Sequence, residues 1–405
     1  MPDLRPSGLV PGAGLAALPG GPPAKLTPIR LVLLTVFIDL IGFGIVLPLL
    51  PSYASLFQAS DFAIGLLVAS FSLMQFLLAP WWGRLSDRIG RRPVLLIGLS
   101  GSAASYLLFA VARSYWILLA SRMIAGAMGA TVTVAQAYLA DVSEPKDRAR
   151  SMGMLGAAFG LGFVVGPALA GIASSFGLAA PGIVAAAVTS ANLLLAWRWL
   201  PETRGKGVQA TRRGPAPHWS RASMGFAAMG LSTLGFTVLY VVFPLELERQ
   251  VGLARHQSAY FFVLLGLVSA TVQGLLIGRL VERFGERRLI AAGSWLLALG
   301  FLAMPAAFAA GTSALVAIGV GMVAVAAGSG VISPSATAYV SRMAPAEEQG
   351  QTLGLLISVG AVARIAGPIM AGALATAGGA RLAFYGATAC AALAGMSPMV
   401  FREKE

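Results

Sequence analysis

Charged side chains, cysteine and histidine are scarce in this chain of 405 residues. Only 11% of the residues are charged, whereas 57% are hydrophobic; a typical soluble protein has about 25% charged residues. The single cysteine, Cys390, excludes a disulfide framework within one chain, and the two histidines, His218 and His256, form no paired metal site. The sequence also lacks a P-loop and a nucleophile elbow. We therefore expect no catalytic residue, no metal ligand and no cofactor.

Long apolar runs take the place of the missing charges. Runs of about 20 residues recur throughout the chain, and each is long enough to cross a bilayer as a helix. A helix satisfies its own backbone hydrogen bonds in lipid, so the sequence predicts an all-α polytopic membrane protein. We expect twelve transmembrane helices, at about residues 28–50, 62–82, 93–112, 115–140, 150–174, 178–200, 221–245, 257–278, 289–309, 312–340, 350–377 and 380–401.

The densest charged stretch follows the second apolar run and recurs half a chain later. Its glycine, acid, arginine and glycine reappear after 195 positions: Gly83, Asp87, Arg88 and Gly90 against Gly278, Glu282, Arg283 and Gly285. We interpret each copy as a short loop on the water side. A repeat of this kind indicates two similar halves. The expected domains are a disordered tail at 1–27, six-helix bundles at 28–200 and 221–401, and a linker at 201–220.

Lysine and arginine are distributed unequally between the two sides of the predicted membrane. Of the 29, 23 lie in the termini, the linker and the turns after helices two, four, eight and ten. The opposite side holds Arg113, Arg249, Arg255 and Arg381. The positive side of a membrane protein is cytoplasmic, so we expect both termini and the linker in the cytoplasm. The net charge of +13 forms no continuous face, which argues against a nucleic-acid partner.

Three charged residues lie inside apolar runs: Asp39, Arg122 and Arg364. A charge at mid-membrane costs about 2.5–3.5 kcal/mol even on mild scales and usually faces a cavity. Asp39 is either a carboxylate that binds and releases a proton or part of a structural ion pair with an arginine. Arg364 either joins a network on the cytoplasmic side or faces an anionic ligand.

Small residues form stripes along the fourth and fifth predicted helices. On the fourth helix, Arg122 begins a stripe that indicates either a cavity wall or close packing, and its other members are Gly126, Gly129, Thr133 and Gln136. The fifth helix has small residues at a spacing of about four, with a proline that bends it: Gly156, Gly160, Gly162, Gly166, Pro167 and Gly171.

These motifs resemble those of the major facilitator superfamily over residues 28 to 401. Residues 83–92 match its loop signature G-x-L-x-D-R-x-G-R-R completely. Residues 39–51 resemble the first-helix signature of twelve-helix drug/proton antiporters, including the tetracycline exporters. Arg122 fits the fourth-helix arginine motif. Residues 162–171 resemble the fifth-helix motif regarded as a mark of antiporters, with Ala170 in place of a usual glycine.

The resemblance implies two pseudo-symmetric six-helix bundles around a central cavity that opens alternately to each side. It implies that Asp39 and Arg122 couple a proton to transport and that Asp87 latches the cytoplasmic side in the outward-facing state. The remaining implied gate residues are Gly83, Arg88, Gly90, Arg91, Gly278, Glu282 and Arg283. The antiporter motif of the fifth helix consists here of Gly162, Gly166, Pro167 and Gly171.

The expected function is export of a small amphipathic drug or metabolite by a monomeric proton-coupled antiporter in a bacterial inner membrane. The alternatives are a symporter or importer of a small solute and a transport-incompetent sensor or assembly protein. The predicted helices at 93–112 and 289–309 lack the acids of tetracycline exporters, so no particular substrate is implied. Polar and aromatic mid-helix residues are expected to line the cavity: Phe71, Gln75, Gln136, Asn192, Tyr240, Gln273 and Arg364.

Overall fold

The computed structural model describes residues 27–143, 148–203, 219–344 and 349–401, and the regular structure in these ranges is helical. Nearly all of the predicted tail and most of the predicted linker lie outside the described residues. Eleven helical stretches are long and apolar enough to cross a membrane. The first ten are α1 Pro28–Leu56, α2 Asp61–Ile89, α3 Arg91–Ala110, α4 Tyr115–Val142, α5 Arg148–Ser174, α6 Ala180–Trp199, α7 Ala222–Val251, α8 Gln257–Phe284, α9 Glu286–Phe308 and α10 Gly311–Met343.

The last stretch, Gln349–Val400, contains two crossings. A Cβ atom built on Gly367 would lie 2.7 Å from the carbonyl oxygen of Leu234, and one on Gly235 would lie 2.9 Å from that of Ala387. Residues 367 and 387 therefore reach the same level of α7, although a straight helix would separate them by about 30 Å. The chain reverses at Gly378 and Gly379, whose backbones are not helical. This gives α11 at 349–377 and α12 at 380–400, and it confirms the prediction of twelve helices.

Four of the helices are interrupted. Short 3₁₀ turns occur in α1 at Leu47–Leu49 and in α7 at Thr237–Tyr240. A π-helical turn lies in α8 at Val272–Leu276. The α-helical pattern of α4 stops at residues 128–130 and resumes at Thr131.

The charged stretch after the second apolar run is helical over most of its length, which corrects its interpretation as a loop. Residues 83–89 contain no proline and continue α2 to Ile89, and α3 begins at Arg91. Only Gly90 departs from the helix, with φ 106° and ψ 160°. In the second half, α8 likewise continues to Phe284, and Gly285 has φ 72° and ψ 155°. The two copies thus share a backbone conformation as well as a sequence pattern.

The two halves of the molecule touch at one end and separate at the other. We call the end that contains the turns after α2, α4, α8 and α10 the basic side. Near the opposite side, α2 contacts α11, since the backbone nitrogen of Phe62 donates to Thr376 Oγ1 over 3.1 Å. The α5–α8 pair also meets, with a Cβ on Gly266 2.8 Å from the carbonyl oxygen of Phe163.

Towards the basic side, glycines of the same four helices face open space. No described atom lies within 4 Å of a Cβ built on Gly83 of α2, Gly160 of α5, Gly274 of α8 or Gly354 of α11. The halves therefore pack together towards the opposite side and separate at these four glycines, as expected for a central cavity that opens towards the basic side.

Candidate functional site

The glycines of α5 bring its backbone against α1 beside Asp39. A Cβ on Gly166 would lie 2.6 Å from Gly44 Cα, and one on Gly162 would lie 2.6 Å from Leu40 Cβ. Pro167 also borders Gly44, and Gly171 is buried further along α5. The antiporter-like motif therefore fixes the position of the α1 segment that contains Asp39.

Asp39 faces Thr131 of α4 in the interior of the first half. Both Asp39 Oδ1 and Thr131 Oγ1 are buried, and neither has a hydrogen-bond partner among the described residues. No ion pair joins Asp39 to any arginine whose side chain is described. The structure thus gives no support to the alternative of a structural ion pair at Asp39.

Arg122 is 1% exposed and is surrounded by aromatic rings instead of acids. Its guanidinium carbon lies 4.9 Å from the ring centroid of Phe71 and 5.7 Å from that of Phe43. Cation–π attraction of this kind is strongest where water is excluded. Nε and Nη2 of Arg122 have no hydrogen-bond partner among the described residues. Tyr106 of α3 lies within electrostatic reach of both Arg122 and Asp39.

The stripe predicted on α4 is not continuous. Because the helix is interrupted at residues 128–130, the regular spacing from Arg122 does not continue to the positions beyond the break. Thr131, rather than Thr133, faces Asp39. Gly126 packs against the backbone of α2 at Phe71, and Gln136 is half-buried.

Further buried polar atoms follow the same face of α1. Asn192 of α6 donates from Nδ2 to the backbone oxygen of Thr35 over 2.8 Å, while its Oδ1 is unpaired within the described structure. Thr189 Oγ1, near Gly42, is also buried without a described partner. We call Asp39, Thr131, Thr189 and Asn192 the inner polar cluster. Unsatisfied buried groups in such a cluster are typical sites of ordered water.

Some of the residues predicted to line the cavity occupy other positions. Asn192 is fully buried between α1 and α6, which corrects its assignment to the cavity wall. Phe71 packs against the Arg122 guanidinium, and Gln75 Nε2 donates to the Gly129 carbonyl over 3.2 Å. Gln273 is exposed on the π-helical turn of α8.

In the second half, Tyr240 and Arg364 lie within electrostatic reach of each other. The ring of Tyr240 stacks on Phe262 at 5.9 Å between centroids, with an interplanar angle of 13°. Arg364 is exposed, and it forms neither an ion pair nor a hydrogen bond with any described residue. The alternative of a cytoplasmic-side network at Arg364 therefore finds no support among the described residues.

Arg91 is the centre of the charged cluster at the basic end of the first half. It pairs with Asp87 at 2.6 Å and with Asp141 of α4 at 3.0 Å, and its backbone nitrogen donates to Glu202 over 2.9 Å. These contacts join α2, α3, α4 and the chain after α6. The Asp87 side chain is 62% exposed and pairs within its own half, so its role as a latch stays a prediction.

The second copy of the cluster has the opposite charge at its central position. Glu286 occupies the position equivalent to Arg91, is buried, and pairs with Arg342 at the end of α10. The buried Glu286 thus pairs with a base on α10, as Arg91 pairs with an acid on α4. Glu282 and Arg283 are exposed, and Arg283 lies over the ring of Phe284 at 5.4 Å.

Sequence reasoning missed several residues of these clusters. Tyr106, Thr131 and Thr189 are ordinary in their own helices, and only the packing of α3, α4 and α6 brings them to α1. Asp141 and Glu202 are acids near predicted helix ends, which was a signal available in the sequence.

Comparison with known proteins agrees with this arrangement. A family model described as Major Facilitator Superfamily matches residues 32–223 and 225–405. The class C tetracycline resistance protein of Escherichia coli is 36% identical over 360 residues, which cover 85% of this chain and 88% of the relative.

Solved structures show the same fold. The crystal structure of the human organic anion transporter MFSD10 aligns with a TM-score of 0.66 at 27% identity, covering 91% of this chain and 98% of that one. A bacterial homologue of the human lysosomal transporter Spinster aligns with a TM-score of 0.76 at 15% identity, over 92% and 96% of the two chains. With twelve helices in two related halves, the chain belongs to the major facilitator superfamily, a family of multi-pass membrane transporters rather than enzymes.

Proposed function

We propose that this transporter is a proton-coupled antiporter that exports a small amphipathic compound by alternating access. The observation that supports this proposal is the environment of Asp39. Asp39 lies inside a membrane helix, and its buried Oδ1 has no hydrogen bond within the described structure. A bare charge there is costly, so binding and loss of a proton change the energy of the site appreciably.

The inner polar cluster supports a path for that proton. Thr131, Thr189 and Asn192 offer unpaired oxygens along α1 on either side of Asp39. Water held by these oxygens would connect Asp39 with the cavity, since ordered water commonly satisfies such groups. Arg122, held under Phe43 and Phe71 in the same bundle, governs when the proton leaves.

The antiporter-like motif of α5 supports export as the direction of transport, and the orientation gives the side from which the cargo enters. We assign the basic side to the cytoplasm of a bacterial cell, with both termini there, because lysine and arginine accumulate on that side. The conformation is then inward-facing. In the cycle, a monomer takes up its cargo from the cytoplasm, and a proton entering from outside is exchanged for it. Asp87 and its loop would latch the outward-facing state.

The relatives do not identify the cargo. The E. coli relative is named for tetracycline resistance, and the human neighbour is described as an organic anion transporter. Both names agree with an amphipathic organic compound, which is the class we propose.

The proposal predicts that replacing Asp39 abolishes proton-driven exchange. Everted membrane vesicles are energised and their internal acidification is followed with a pH-sensitive dye. Addition of a panel of amphipathic drugs and metabolites should release protons from the wild-type vesicles for at least one compound. In Asp39→Asn this release should fall at least about tenfold, since the amide cannot exchange a proton, while Asp39→Glu should retain part of it.

Glu248→Gln is the matched control, because it removes a partly buried carboxylate near the opposite-side end of α7, whose Oε1 is buried like Asp39 Oδ1. It should exchange protons like the wild type. Proton release by Asp39→Asn equal to that of Glu248→Gln would rule out Asp39 as the coupling group.

A further inference from the structure

Arg364 lies on the face of α11 that is directed at the first half of the molecule. Pro368 and Gly372, one and two turns further along α11, pack against α2 at Gly65 and Asp61. Residues four apart share a helix face, so Arg364 continues this face by one turn towards the basic side. The halves separate there, and Arg364 therefore projects into the cavity immediately above the closed end.

No described acid neutralises Arg364. In the second half, Glu246 pairs with Arg249 and Glu286 pairs with Arg342, both at helix ends. Asp39 of the first half forms no ion pair with Arg364. Arg122, by contrast, is 1% exposed beneath two aromatic rings and is unavailable to a ligand. Arg364 is thus the one described arginine that lies at mid-membrane, is exposed and has no counter-charge.

An apolar recess adjoins this cation. It includes Tyr240, which lies near Arg364. Its walls come from both halves: Gly44, Leu47, Pro48, Phe163, Pro167, Tyr240, Phe262 and Leu265. Ligand sites commonly combine an apolar enclosure with a few polar groups that fix orientation.

We propose that the cargo is an organic anion, whose carboxylate, sulfonate or phosphate binds Arg364 while its apolar body packs against the recess at Tyr240. A guanidinium offers a planar pair of N–H donors that matches these groups in a bidentate manner. This proposal deepens the proposed function, because it assigns a substrate class to the same cavity.

A negatively charged cargo would increase the net charge that crosses the membrane in each transport cycle. If one proton enters for each monoanion that leaves, two positive charges move inwards in each cycle. An inside-negative membrane potential then drives export together with the proton gradient. Exchange of a neutral compound would move only one charge.

The test measures binding without any gradient, so it does not depend on proton coupling. Purified protein in detergent is titrated with pairs of aromatic probes that differ in charge alone: 1-naphthaleneacetate and 1-naphthaleneacetamide, 1-pyrenebutyrate and its amide, and 2-naphthalenesulfonate and its sulfonamide. We expect the wild type to bind at least one anion roughly tenfold or more tightly than its neutral partner, as for hydrogen bonds between charged groups.

Variants separate a specific site from general charge attraction. In Arg364→Gln the preference for the anion should fall below about twofold, and in Arg364→Lys it should be intermediate. Arg381→Gln removes an exposed arginine near the start of α12 and should keep the wild-type preference. Thermal unfolding of each variant shows that it is folded, and Asp39→Asn should retain the preference even though we expect it to lose exchange.

Two results would overturn the assignment. One is that every neutral probe binds as tightly as its anion, or that no anion in the panel binds. The other is that the anion preference persists in Arg364→Gln. Loss of exchange in Asp39→Asn together with either result would leave proton coupling in place and reject only the anionic cargo.

Discussion

Gly90 and Gly285 occupy equivalent positions in the two halves, and they differ in the space available for a side chain. Both have positive φ with ψ near 155–160°, a conformation that side chains other than glycine rarely adopt. A Cβ on Gly90 would also meet the Glu202 carboxylate, whereas one on Gly285 would meet no described atom within 4 Å. Gly90 therefore has two reasons to be glycine, and Gly285 has one.

Alanine substitutions at these two positions should distinguish the cost of backbone strain from the cost of the steric clash with Glu202. Gly285→Ala should lower stability by about 1–3 kcal/mol through backbone strain alone. Gly90→Ala should cost clearly more, because Glu202 must also give up its hydrogen bonds to the backbone nitrogens of Arg91 and Arg92. Unfolding midpoints of the purified variants would measure this. Equal losses would mean that Glu202 moves aside at no cost, in contradiction to its place in the Arg91 cluster.

Candidate functional residues could be predicted from the sequence where their side chains are of a type that is rare in a membrane. Asp39, Arg122 and Arg364 stand out because charges are costly in lipid, and the sequence alone identified all three. Thr131 and Tyr106 were not predictable, because polar and aromatic residues are common in such helices. Their position near Asp39 arises only from the way that α3 and α4 pack against α1.

The helices themselves were predictable from the apolar runs, and the interruptions were not. The turn at Gly378 and Gly379 agrees with the predicted boundary between the last two helices. The break in α4 at residues 128–130 contains no proline, so the sequence did not predict it. The stripe from Arg122 to Gln136 was therefore wrongly extended through the break. Likewise, the water-side ends of α2 and α8 continue as helices beyond the apolar residues that predict them.

Contact between α1 and α5 should be sensitive to one methyl group. In Gly166→Ala the new Cβ would lie 2.6 Å from Gly44 Cα, so the two backbones must separate. Overpacking of this kind costs about 1–3 kcal/mol, and it displaces the segment that holds Asp39. We expect a lower unfolding temperature and at least about fivefold slower proton-driven exchange.

The matched control lies on the same helix. Gly160→Ala adds the same methyl group where no described atom lies within 4 Å, and alanine favours a helix over glycine by up to about 1 kcal/mol. It should therefore be as stable as the wild type or more stable. Equal loss in both variants would show that α5 tolerates no substitution generally, and the specific contact with α1 would not be responsible.

The whole molecule is held closed on the opposite side by contacts between its halves. Arg249 of α7 reaches Asp61 of α2 at 3.4 Å, beside the hydrogen bond from Phe62 to Thr376. On the basic side, the Arg91 and Glu286 clusters each stay within one half. The Asp61–Arg249 pair thus favours the conformation seen here, and the basic-side clusters join helices within each half.

Removal of Arg249 should shift the balance between the two conformations. An exposed ion pair contributes up to about 1 kcal/mol, so Arg249→Gln should raise the population open on the opposite side by as much as roughly fivefold. Spin labels on Ser175→Cys and Thr312→Cys, in a Cys390→Ser background, report the distance between the halves on that side. Arg113→Gln, which removes a charge on the same side, should leave the distance distribution unchanged. If both variants shift it equally, the effect is general electrostatics, and the pair of Asp61 with Arg249 does not keep the halves together.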